Sequence, residues 1–197
     1  MAPIDPTLPL VLAPVAVQTA AMLVDELVFH RRRGLPRWER VGHVLDTLTV
    51  LACFVYALLV APHGRAALGG YLALAGFSTL FVTKDEAVHT RHCGPGEHWL
   101  HSVLFVLHPI VLGAVGLTWL AAHGTGPLAG LVAPSSARLA LVGQAVATGA
   151  FGLYQLAYWN FPWARRHPLA TTTPTTPTTP ATPTSPAPTS RLTSEPR

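Results

Sequence analysis

Charge is what this chain most lacks. Only 11% of its 197 residues are Asp, Glu, Lys or Arg, while half are hydrophobic; a soluble domain carries about 25% charged residues. That balance, with a mean hydropathy of +0.38, excludes an ordinary water-soluble globule and points to the membrane. Cysteine is equally sparse. Cys53 and Cys93 are the only two, which excludes a disulfide framework and a CxxC knuckle for structural zinc. No nucleotide or flavin fingerprint occurs, so redox chemistry here would need a separate electron donor. The start, MAPIDPTLPL, lacks the basic stretch of a cleaved signal peptide, and the first apolar run reads as a retained transmembrane helix.

Long apolar runs are plentiful. Five are long enough to cross a bilayer core, which takes roughly 20 residues: about Leu8–Val28, Val44–Ala61, Ala67–Val82, Trp99–Ala121 and Leu139–Phe161. The expected fold is an all-α polytopic membrane protein over residues 1–168, followed by a Thr/Pro-rich tail, residues 169–197, too polar and proline-rich to build a core. Basic residues give the orientation. Arg31, Arg32, Arg33, Arg37, Arg40, Lys84, Arg91, Arg165 and Arg166 fall on one side, and Arg65 and Arg138 on the other. The positive-inside rule then places the N-terminus outside a bacterial-type inner membrane and the C-terminus in the cytoplasm. Topology thus accounts for the basic pI, and no nucleic-acid partner is expected. Trp119, Tyr158, Trp159 and Trp163 read as interfacial aromatic belts.

What stands out against this background is a pattern that occurs twice. Residues 25–43 read DELVFHRRRGLPRWERVGH and residues 85–101 read DEAVHTRHCGPGEHWLH. Each copy has an Asp-Glu pair closing an apolar run, a His soon after, a Gly/Pro turn, then a Glu with a His four residues on. Groups three or four apart share a helix face. The repeat therefore predicts two duplicated helical hairpins assembled as a four-helix bundle, with the fifth helix as a packing helix. Four helix ends would each present an acid and an imidazole at one membrane depth, on the cytoplasmic side.

An ionisable group within a bilayer costs about 2.5–3.5 kcal/mol on the insertion scale, so a repeated set of them asks for compensation, and a metal ion supplies it. The candidate ligands are Glu26, His30, Glu39, His43, Glu86, His89, Glu97 and His101. Asp25, Asp46, Asp85, His98 and His108 are alternates, or groups that orient the ligands. Glu-x-x-His pairs on facing helices characterise dimetal carboxylate bundles, and Glu86-x-x-His89 fits that spacing; Glu26 and His30 depart from it by one residue. Two iron ions are the leading expectation, with zinc or manganese as alternatives. Haem is disfavoured by the excess of carboxylates.

On these residues the chain resembles, in the kind of site, the integral-membrane histidine-rich non-haem iron enzymes, the lipid desaturases and hydroxylases. Their HxxxH and HxxHH boxes are absent, and the nearest run is His98-x-x-His101. The resemblance implies a metal-dependent oxidoreductase acting on a membrane lipid or other hydrophobic substrate. A metal-dependent hydrolase, with one Glu as general base on a metal-bound water, is the alternative enzyme. A non-enzymatic metal-binding or transport protein is the alternative of another kind, although the polar groups cluster on one side and do not line a path through the bilayer.

Overall fold

The computed structural model describes residues 7–86, 90 and 93–161, with the Asp85 side chain outside that set. Among them the secondary structure is helical with no strand, and five helices are long and apolar enough to cross a membrane. Helix α1, Thr7–Val24, continues through a π-helical segment, Asp25–His30, into a last turn, Arg31–Arg33. Helix α2 is Arg37–Leu59, α3 is Gly64–Phe81 followed by a 3-10 turn Val82–Asp85, α4 is Pro95–Ala122, and α5 is Pro134–Asn160. The Thr/Pro-rich tail and Trp163 lie outside the described residues.

Local chemistry sets the boundaries. Gly34 ends the first helix at φ 75°, a left-handed conformation that glycine reaches without a Cβ penalty. Its N–H donates to the His30 carbonyl at 2.8 Å. Pro36 then caps α2 in an extended conformation, while Pro95 and Pro134 open α4 and α5, where their missing N–H costs nothing. Glu39 and Glu97 consequently occupy the third position of α2 and α4, in the first turn, where the helix dipole favours negative charge.

The packing is not a set of side-by-side hairpins. α1 packs chiefly on α4, and α2 packs most extensively on α5, which also touches α4. The fifth helix is thus a central partner of α2. A buried apolar cluster, including Cys53, Phe54, Tyr71, Val115, Trp119 and Leu141, fills the end of the structure away from the repeat motifs. Trp119, expected in an interfacial belt, is fully buried. Its Nε1–H donates to the Val60 carbonyl at 2.7 Å, where α2 ends, and its ring lies 5.3 Å from that of Tyr71. Tyr71 in turn donates to the Leu112 carbonyl at 2.6 Å. Outward faces carry large apolar side chains such as Leu10, Leu59, Leu80 and Leu139, each more than 70% exposed.

Candidate metal centre

The site forms where the first helix, having run into its π segment, meets the start of α4. A π-helix closes i→i+5 hydrogen bonds. In an α-helix two residues five apart point about 140° away from each other; in the wider turn Asp25 and His30 come together. Asp25 Oδ2 lies 3.1 Å from His30 Nε2 and 3.0 Å from His101 Nε2. Glu97 Oε1 lies 3.7 Å from His30 Nε2. One ligand atom from each of Asp25, His30, Glu97 and His101 falls within 4.8 Å of the others, and all four side chains are buried. His30 Nε2 is fully buried, and none of its neighbours completes a hydrogen bond with it. Among the described residues no other group of three or more His, Cys, Asp or Glu converges in this way.

Around this core the two repeat copies meet through their second halves. Arg33 donates from Nη1 and Nη2 to both Glu39 oxygens, at 2.8 and 3.1 Å, and from Nη2 and Nε to Glu97 Oε1, at 2.8 and 3.2 Å. One guanidinium therefore clamps the two equivalent glutamates of the repeat, and Glu39 is entirely buried. The equivalent imidazoles, His43 and His101, flank His30 with ring centroids at 4.8 and 5.9 Å. Buried His43 Nε2 has no hydrogen-bond partner.

Glu26 is held from the fifth helix. Tyr154 Oη and Trp159 Nε1 donate to its Oε1 at 2.6 and 2.9 Å, while its Oε2 lies 3.5 Å from His30 Nδ1. Arg31 reaches Tyr154 Oη at 3.3 Å and lies over the Tyr158 ring. Sequence reasoning assigned Trp159 to an interfacial belt, yet it is buried and serves Glu26. Tyr154 carried no sequence signal that singled it out, because its role depends on α5 packing against the π segment.

Of the second copy, Glu86 and His98 stand apart: each is nearly half exposed, they lie 3.7 Å from one another, and neither joins the buried cluster. Asp46 pairs with Lys84 at 2.7 Å, and His108 Nε2 meets Ser78 Oγ at 3.0 Å. His89 and the Asp85 side chain lie outside the described residues. In the turn before α4, burial pushes the Cys93 thiol well above its ordinary pKa, and the nearby Glu97 carboxylate adds to the shift. Asp25, treated as an alternate in the sequence, holds the central position.

Electrostatics calls for more positive charge. Asp25, Glu26, Glu39 and Glu97 are at most 4% exposed, and Arg33 is the guanidinium hydrogen-bonded among them. Four buried carboxylates thus share one guanidinium, and the rest of the balancing charge falls to the imidazoles or to a bound cation, in a volume where a lone carboxylate is strongly disfavoured. Beside the cluster is a cavity of about 330 Å³, lined by Asp25, Glu26, His30, His43 and His101 at one end and otherwise mainly by apolar side chains from α1, α2, α4 and α5. Comparison with protein-family models, curated proteins and solved structures finds no match to this chain.

Proposed function

We propose that the chain is an integral membrane protein with one buried metal ion, working as a metal-dependent oxidoreductase on a hydrophobic substrate in the adjoining cavity. The observation that carries this reading is Asp25 Oδ2 lying 3.0 and 3.1 Å from the Nε2 atoms of two imidazoles, with His30 Nε2 buried and unbonded. Asp25 Oδ2 and His101 Nε2 share a hydrogen bond at 3.0 Å; with its proton exchanged for a bound cation, these two atoms and His30 Nε2 would surround the ion.

The surroundings favour one ion over the two expected from the repeat. Glu39 is occupied by Arg33, and Glu26 by Tyr154 and Trp159. Glu97 gives much of its charge to Arg33, leaving Asp25, His30 and His101 as the strong donors. Two histidines and one carboxylate with open positions form the ligand set of non-haem iron oxygenases. Such an iron supplies oxygen activation, with electrons from a separate donor. The chain's part is to hold and exclude: Glu26 orients His30 through Nδ1, an arrangement that fixes tautomer and basicity. The apolar walls select a hydrophobic substrate and keep water away. Membrane insertion is supported by the five apolar helices and their leucine-covered outer faces. Arg31, Arg32, Arg37 and Arg40 stand at the same end as the cluster, which favours that end being cytoplasmic.

Elemental mass spectrometry on protein purified in detergent, after expression with added iron and zinc, tests the reading. About one iron per chain is expected. Zinc in its place would move the assignment to a hydrolase, and no bound metal would overturn both. A second expectation concerns the π segment. Inserting an alanine after Leu27, whose side chain is half exposed, sets Asp25 and His30 six residues apart, about 120° round an α-helix, and parts them. The insertion protein should remain helical by circular dichroism yet lose its metal; metal retained at the native level would sink the role given to the convergence of these two residues.

A further inference from the structure

The cavity has a second polar end. α1 runs towards the metal centre and α4 runs away from it, and the two pack together with Asp25 against His101 at 3.0 Å. Gln18 lies seven residues before Asp25, and His108 seven residues after His101. In an antiparallel pair these offsets place Gln18 and His108 at a common level two turns deeper, about 10 Å from the centre. Both line the cavity, between them and the centre stand Met22, Leu104 and Phe105, and Phe54 and Phe151 complete the wall.

Gln18 is 9% exposed, the buried residue of α1 before the π segment, and its Oε1 is buried without a hydrogen-bond partner. An unmet amide acceptor in an apolar setting is costly. His108 is also buried, its Nε2 held by Ser78 Oγ at 3.0 Å, and Ser78 is tied to Thr49 at 2.8 Å. This pole is therefore fixed in place, and one of its acceptors lacks a donor. Ligand pockets combine apolar walls with a few placed polar groups of this kind.

We infer that Gln18 and His108 form a recognition site for the hydroxyl of an elongated apolar alcohol. The alcohol O–H donates to Gln18 Oε1, and its hydrocarbon chain extends along the cavity towards Asp25, His30 and His101. The inference rests on reading the cavity as the substrate chamber and gives that substrate a class: a hydrophobic molecule with a hydroxyl about two helical turns from the carbon presented to the centre. Ethers and esters of equal size, which only accept hydrogen bonds, leave Gln18 Oε1 unsatisfied.

Calorimetric titration of the full chain in lipid nanodiscs, with empty nanodiscs subtracted, compares decanol with nonyl methyl ether, which has the same number of heavy atoms. Decanol should bind about tenfold more tightly, the ratio set by one buried acceptor gaining its donor. The preference should vanish in Gln18→Met. In the native protein, the Gln18 side-chain amide resonance should shift with decanol and not with the ether. Each measurement is made as purified and after chelation. A preference that survives chelation stands whatever becomes of the metal assignment. Equal binding of the two probes, or an unchanged preference in Gln18→Met, overturns the inference even if iron is present.

Discussion

Alanine at Asp25 should strip the protein of its metal, lowering the content at least tenfold. Asp25 Oδ2 is the atom shared by both imidazoles, so on the proposed reading its loss would remove a ligand and the charge that balances the cation. Even a residue that merely orients a ligand is worth about 10–100-fold in affinity. Asp25→Asn, which keeps the shape and removes the charge, should lie between alanine and the native protein. The informative contrast is Glu86→Ala combined with His98→Ala. Both belong to the repeat, but they are half-exposed and outside the cluster, so their replacement should leave the metal content within about twofold of native, the tolerance expected of groups that make no ligand contact. Metal lost from this double variant and kept in Asp25→Ala would reverse the assignment and restore the expectation of two equivalent repeat sites.

Arg33→Met should be the most destabilising single change near the site. It leaves Glu39, fully buried, and Glu97, nearly so, without the guanidinium that joins them. Breaking a buried ion pair from one side costs about 3–5 kcal/mol, because the remaining charge stays buried and uncompensated. Arg33→Lys should recover only part of the loss. The native arginine donates four hydrogen bonds from three nitrogens, and an ammonium cannot reproduce that fork. Adding Glu39→Gln to Arg33→Met removes the stranded charge and should return a substantial share of the stability. Unfolding in mixed detergent, followed by circular dichroism, gives the order of the four proteins. A methionine variant as stable as the native chain would show that the clamp contributes little.

Much of the architecture was legible in the sequence. Apolar runs gave five helices near their observed positions, since length and composition decide that much on their own. The Glu-x-x-x-His pairs Glu39 with His43 and Glu97 with His101 fall at the starts of α2 and α4, whose glutamates one guanidinium joins. Three features were hidden for separable reasons. The α-helical period pairs Glu26 with His30, and nothing in DELVFH announces a π turn, so Asp25 looked peripheral. The repeat suggested symmetry, but α1 packs on α4 while α2 packs on α5, and partner choice of that kind is tertiary. Trp119 and Trp159 sit near span ends, where an aromatic belt is the ordinary expectation; their indole N–H groups instead serve the Val60 carbonyl and the Glu26 carboxylate.

The π turn carries a consequence for how such a centre arises and disappears. Asp25 and His30 are five apart, a spacing that a plain α-helix would set about 140° apart and that the π turn brings together. The same two residues four apart would already share a face of an ordinary α-helix. One residue gained inside an Asp-x-x-x-His helix is therefore tolerated where the turn widens to π and disperses the ligands where it does not. Ligand identity alone is then a poor guide to which related chains hold a metal, and the spacing of aspartate and histidine has to be read together with the kind of turn that carries it.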